Sequence, residues 1–543
     1  MKAFVSKIYP FFVSAASVLM SVFSGILLCS SLLGTCYSLD MTSQEVLTCW
    51  DNPLITLIGL LLFVAFFGTI QKWVLKKPSK RLPCLFAIVL CWCICVGTLL
   101  ILFSKTVPAA DAWSVYSIAE SLAQNDTSVV HHTDSYLSYY PQQVGLVTFF
   151  ELLIRIWYLL PLDLPAYHFI KCVYVLLTTV IICFQYRTIT LPFDTGHIDC
   201  GNLPFLKEKI SCAYLLLIGL NLPFIMYTSF VYGEIPSFAM ISIGFYYYFR
   251  FLTSFNVPTD SGASQTANKT VSSGVISLIC FILSVFLRKN SLIVIIAIVL
   301  VTLIEWLKIK KHRLLLFVLF CVLGSSFILP STQKYLEHRA DNYLRSGVPA
   351  MSYFAMGMQE SSRANGWYNG FNFNTYQESG MDTELTNSIS KAAIKERLAY
   401  FKENPSYAGN FYLEKFLSQW ADGTYASRQA TLATFGGRRP IFDDLYTGTY
   451  SHYYIAYCNT YQNLLYLGAF LFCLKTRRCT SLPLYAGLIA VFGGFLFHMI
   501  WEANSRYIFT YSLLLLPYAS YGITRLNASI SKQLVKLKQR HGN

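Results

Sequence analysis

An aspartate, Asp111, stands just beyond the long uncharged run Leu82 to Phe103 and opens a stretch rich in aromatics: Trp113, Tyr116, Tyr139 and Tyr140. A carboxylate at the mouth of a membrane span can take the proton of an acceptor hydroxyl, or hold a divalent metal such as Mg or Mn. It can equally cap a surface helix starting at Ala-Trp-Ser-Val-Tyr. Glu120 and Asp134 follow in the same loop. Three more charged groups flank apolar runs: Glu234 in Val231-Tyr-Gly-Glu-Ile-Pro236, the turn Arg288-Lys289-Asn290, and His498-Met-Ile-Trp-Glu-Ala-Asn-Ser-Arg506. Ionisable groups beside spans are functional candidates, because lipid penalises them unless they are paired.

Each type suits a different task. Arg grips a phosphate in bidentate fashion, and Lys adds a compact charge. Cations are sparse on the translocated side of membrane proteins, so Arg288-Lys289 is unusual; the alternative is that both snorkel to lipid headgroups. Glu234 is either a second working acid or an interfacial carboxylate neutralised by an Arg such as Arg506. Glu502 and Arg506, four residues apart, can also pair with each other. His498 and Trp501 share a helical face, with Trp501 an interfacial anchor or a platform for a sugar. Gly366-Trp-Tyr-Asn-Gly370 suits sugar binding through rings and amides, or is a plain turn.

The elements that must position these residues follow from composition. Of 543 residues, 55% are hydrophobic and 13% charged, against about 25% charged in soluble domains. The net charge of +14 does not indicate nucleic acid, because the basic residues fall in short clusters between apolar runs. About twelve spans of bilayer length are expected near 9–34, 54–74, 82–104, 167–186, 211–230, 235–252, 273–288, 291–307, 314–330, 457–474, 482–501 and 507–524. The clusters Lys76 to Arg81, Lys207 and Lys209, Lys308 to Arg313 and the C-terminal tail then share one side. The positive-inside rule makes that side cytoplasmic, with both termini. Residues 143–160, apolar but carrying Glu151 and Arg155, are expected to lie along the membrane surface.

The expected fold is thus an all-α polytopic membrane region, 1–330 and 457–543, with its first outer loop at 105–166. A mixed extracytoplasmic domain of about 125 residues, 331–456, completes it; it carries twelve basic and twelve acidic residues, so it has no net charge to attract a polyanion. Most of the 16 cysteines lie in apolar runs and act as small hydrophobes; Cys36 and Cys49 share a loop and either pair or stay free. Phosphate-loop, zinc-protease and nucleophile-elbow motifs are absent.

The runs Asp111-Ala-Trp-Ser-Val-Tyr-Ser-Ile-Ala119 and Tyr139-Tyr-Pro-Gln-Gln-Val-Gly145 resemble the C-type (GT-C) integral-membrane glycosyltransferases, which include protein O-mannosyltransferases and aminoarabinose transferases. Val231-Tyr-Gly-Glu234, Gly493-Gly-Phe-Leu-Phe-His498 and Trp501-Glu-Ala-Asn-Ser-Arg-Tyr507 extend the resemblance over the membrane region. It implies transfer of a sugar from a polyprenyl-phosphate donor to a glycan, lipid or protein acceptor, at the outer face of a bacterial plasma membrane. Asp111 matches the catalytic acid position and Glu234 the second acid. Arg288, Lys289 and Arg506 become donor-phosphate cations, and Tyr139, Tyr140, His498, Trp501 and Glu502 substrate-binding residues. The chain departs from the pattern in two ways: it has two extra spans before Asp111, and no Asp-x-Asp pair there, which leaves metal use open. A glycopolymer ligase or polymerase, or a transporter (flippase) of lipid-linked saccharides, is the alternative.

Overall fold

A computed structural model describes residues 2–38, 45–131, 135–194, 204–256, 263–476 and 481–541; Asp134 lies outside them. The described chain is predominantly helical. Among the described residues, eight helices are long and apolar enough to cross a bilayer: Ile8–Leu33, Pro53–Leu75, Pro78–Ser104, Ala166–Pro192, Thr270–Leu287, Lys289–Ile309, His312–Ala340 and Leu482–Ile500. The chain is therefore a multi-pass helical membrane protein. The expected span 211–230 is broken into Leu206–Gly219 and Leu222–Ser229, bent by 56°. Pro223 explains the break, since it has no N–H to continue the helix and its ring crowds the carbonyl four residues back. Asn221 restarts the helix by accepting a hydrogen bond from the Phe224 amide at 3.1 Å.

Three expected spans lie on helices that are long but less apolar: Glu234–Thr253 (20 residues), Thr449–Lys475 (27) and Ser505–His541 (37). Several of their polar side chains point inward. Tyr248, Gln462, Asn463 and Ser520 are completely buried, and their partners include Thr302 for Tyr248 and Ser31 for Asn463. Helices Thr449–Lys475 and Ser505–His541 meet backbone to backbone, since a Cβ on Gly522 would stand 1.9 Å from the Gly468 carbonyl oxygen. Such small-residue contacts drive helix association in lipid. In contrast, Pro53–Leu75 and His312–Ala340 bury only 22% of their most apolar windows, so their remaining side chains face lipid.

One end of the bundle gathers basic segments. Gln71, beside Lys72 and Lys76, donates to the Lys209 carbonyl at 3.0 Å and to Thr524 at 3.2 Å. The opposite end carries Asp111 and most of the polar segment. That segment is helical rather than mixed, with Ala350–Gly357, Phe371–Glu378, Thr383–Glu403, Pro405–Trp420, Ser427–Ala430 and Pro440–Thr447. Its expected limits, 331 and 456, fall inside the continuous helices His312–Ala340 and Thr449–Lys475. The described strands are a single antiparallel hairpin, Gly34–Ser38 with Val46–Trp50. Within it Thr35 faces Cys49 and Cys36 faces Thr48. Alternation along a strand sends Cys36 and Cys49 to opposite faces, and both are free thiols. Helix Val144–Tyr158 has 15 residues and is not among those long enough to cross.

Candidate active site

Helix Pro78–Ser104 stops where Lys105 turns left-handed, at φ 48°. The chain then pairs with the polar segment, Val107 donating to the Ala433 carbonyl at 2.8 Å. Lys171, fully buried, donates to the Thr106 carbonyl and fixes this crossing to helix Ala166–Asp194. After Ala110 (φ 47°) the helix Asp111–Ala123 begins. Asp111 is its first helical residue, and no side chain caps the helix. The capping role open to Asp111 in the sequence is therefore not its role here. Its carboxylate, half-buried, makes no hydrogen bond or ion pair with the described residues, and its charge acts on Tyr140, Tyr232, Tyr353 and Glu502.

Glu234 opens helix Glu234–Thr253 and is 1% exposed. Its Oε1 pairs with the Arg288 guanidinium and lies 3.7 Å from Arg506 Nε. Glycine at 233 permits this meeting, since a Cβ there would sit 2.8 Å from the Leu287 carbonyl oxygen. Aromatic rings flank the guanidiniums, with Arg506 5.3 Å from Tyr232 and 5.5 Å from Tyr507, and Arg288 5.9 Å from Tyr507. The rings and charges attract one another in such contacts. Tyr232 is held in turn by Gln143, which donates to its hydroxyl at 2.6 Å, and by Tyr174, which donates to its carbonyl at 2.5 Å.

Glu502 sits in the turn between helices Ala486–Ile500 and Ser505–His541. Burial pushes its carboxyl up to about 7; Arg506 opposes the shift and the charge of Asp111 adds to it. Sequence spacing allowed Glu502 and Arg506 to pair, yet Arg506 forms its ion pair with Glu234. Two carboxylates, Asp111 and Glu502, thus share the electrostatic surroundings of Arg506. Groups poised this way suit proton transfer.

The polar segment closes the site with Tyr368, which belongs to the Gly366–Gly370 motif, and with three residues that sequence reasoning missed: Tyr353, Arg363 and Lys415. Lys415 is fully buried; it donates to the Gly357 carbonyl and, at 2.8 Å, to the Trp501 carbonyl. Burial pushes its amine down to about 7, against the pull of Glu502. The Ala503 amide donates to the Gly366 carbonyl at 2.8 Å. Gly366 has φ +73°, and a Cβ there would meet Lys415 at 2.7 Å, so glycine is needed for both the conformation and the space. The Gly366–Gly370 motif hinted at this contact, whereas nothing in a helical sequence marks one Lys among many as the buried one.

The other expected site residues divide. Tyr140 lines the cleft, beside Asp111, Tyr368 and Glu502. Tyr139 is 6% exposed and stacks on Phe373 at 4.8 Å, joining the first loop to the polar segment. Trp501 stacks on Tyr353 at 4.8 Å and Phe497 at 4.9 Å, so its ring is engaged in packing. His498 is fully buried against Tyr507, centroids 5.2 Å apart. Lys289 is exposed at the rim next to Arg288. Among the described residues no group of three or more His, Cys, Asp or Glu could hold a metal ion. Neither a protein-family model nor a curated protein matches this chain.

Proposed function

We propose that this chain is a twelve-span, C-type membrane glycosyltransferase with both termini cytoplasmic. It transfers a sugar from a polyprenyl-phosphate donor to a glycan, lipid or protein hydroxyl at the outer face of a bacterial plasma membrane. The observation that carries the reading is the meeting of Asp111 and Glu502 with Arg288 and Arg506 at one end of the helix bundle. An apolar chain can remain in lipid while its phosphate reaches those guanidiniums.

Asp111 acts as the base. Its carboxylate takes the acceptor O–H proton, the acceptor oxygen bonds to the anomeric carbon, and the bond from that carbon to the phosphate oxygen breaks. The electron pair leaves with polyprenyl phosphate, which gains one negative charge. Once the acceptor proton has neutralised Asp111, and with Glu502 neutral, two guanidiniums set against the Glu234 carboxylate leave one excess positive charge to receive it. Preorganised charge of this kind is often the largest catalytic contribution. Glu234, enclosed between the cations, is then a positioning residue.

The test is release of polyprenyl phosphate from a panel of radiolabelled polyprenyl-phosphate sugars by the purified protein in nanodiscs, wild type against Asp111→Asn. Release by wild type and loss in the variant are expected. Full activity in Asp111→Asn would remove Asp111 as the base, and no release from any donor would overturn the transferase reading.

A further inference from the structure

Helix Phe371–Glu378 has two working faces. On one, Phe373 and Tyr376 pack on Tyr139, with ring centroids 4.8 and 5.7 Å away. Tyr139 precedes Tyr140 of the cleft. On the other face, Phe371, Asn374 and Glu378 line a cavity of about 570 Å³, opposite Leu385 and Ile389 of helix Thr383–Glu403. Small-ligand sites occupy about 300–1,000 Å³. Leu385 and Ile389 are 49% and 40% exposed, an apolar wall left open to solvent.

The polar groups of the cavity are the amides of Gln359, Asn369 and Asn374, the hydroxyls of Thr375 and Ser379, and one carboxylate, Glu378. Asn369 is fixed, its amide donating to Gln359 Oε1 at 3.0 Å and its oxygen accepting from the Phe371 amide at 2.9 Å. Asn374 and Glu378 are exposed, with no side-chain hydrogen bond to the described residues. Amides donate and accept at once, and a carboxylate accepts in pairs. A ring and two branched aliphatics offer flat apolar surface. That set matches a saccharide, which has hydroxyls around its edge and C–H groups on its faces. A peptide would want an unpaired strand edge or a groove for a helix, and the hairpin Gly34–Ser38 with Val46–Trp50 forms no part of this cavity.

We propose that this cavity binds a saccharide chain and presents its end to the cleft, as a subsite for a glycan acceptor. The inference rests on the transferase reading for its purpose but not for its chemistry. The connection is short: Gly366 accepts a hydrogen bond at 2.8 Å from the amide of Ala503, the residue after Glu502, and Asn369, three residues on from Gly366, lines the cavity.

The experiment is a binding measurement on the full chain in nanodiscs, against an array of defined manno-, gluco-, galacto- and N-acetylhexosamine oligosaccharides with a set of tetrapeptides alongside. Wild type is expected to retain one oligosaccharide series. Phe371→Ala and, separately, Asn374→Ala are expected to weaken retention by about tenfold, the effect of one good contact; both residues lie at the surface, and thermal melts check their folding. No retained oligosaccharide, retention of tetrapeptides only, or undiminished binding in both cavity variants would each overturn the proposal. Oligosaccharide binding without polyprenyl phosphate release from any donor would instead remove the transferase reading and leave the subsite standing.

Discussion

Two places in this molecule set one glutamate between two arginines. In the first, Glu151 pairs with Arg155 at 2.9 Å and Arg339 at 2.6 Å. In the second, Glu234 pairs with Arg288 and Arg506. The Glu151 guanidiniums are also tied to the backbone: Arg155 and Arg339 both donate to the Leu122 carbonyl, at 2.8 and 2.7 Å, and Arg155 also to Asn125. They lock helices Asp111–Ala123, Val144–Tyr158 and His312–Ala340 together. Arg288 and Arg506 donate to no backbone carbonyl among the described residues, and rings rather than hydrogen-bond acceptors surround them. Their other charged neighbours are Glu502 and Asp111. The ingredients are the same, but one cluster is saturated and the other keeps donors for a ligand. Buried ion pairs bring little net stability because desolvation offsets attraction, so an unsaturated one needs another reason to exist.

The comparison breaks or sharpens through five measurements. Asp111→Asn is expected to cut transfer by about 100- to 10,000-fold, the usual range for a general base, with normal yield of folded protein. Arg288→Gln or Arg506→Gln is expected to lower turnover by about 100-fold, as for loss of one stabilising donor, and to raise the donor KM. Arg339→Gln should leave turnover per folded molecule unchanged; an equal loss there would erase the distinction between the clusters.

Glu151→Ala should act on stability instead. Breaking a fully buried pair costs about 3–5 kcal/mol; with Arg155 39% exposed, about 2 kcal/mol is expected, read as a lower melting temperature with unchanged turnover. The smallest effect concerns pH. Glu502, at about 7, is neutral below that value and anionic above it, so an anionic donor should bind a few-fold more weakly as pH rises through 7. Glu502→Gln should flatten that profile, and an unchanged inflection would assign it to another group.

Much of the frame was legible. Apolar runs such as Leu82 to Phe103 announce helices, because nothing else satisfies backbone groups in lipid. The inward helices were harder. Tyr248 and Asn463 lower the apolar signal of their helices, and only their buried partners, Thr302 and Ser31, explain why they are tolerated. The broken span was marked by Asn221 and Pro223, yet its hydropathy alone read as continuous. In the site, Asp111, Glu234, Arg288, Glu502 and Arg506 all drew attention as charges beside spans. Their pairing was only partly legible: the sequence offered Arg506 to Glu234 and, by i,i+4 spacing, to Glu502, and the fold gave it to Glu234 together with Arg288, a pair the sequence did not suggest.

The sequence by itself determined that the chain lives in a membrane and which charged residues stand at helix ends, since both follow from the local cost of placing polar atoms in lipid. Only the tertiary structure decided which of those charges meet. It buried Lys415 under the Trp501 turn, raised Glu502 by enclosure, and brought Tyr368 from more than 250 residues away to face Asp111. Burial and electrostatic coupling depend on distances through space, and residues far apart along the chain become neighbours only when the helices pack.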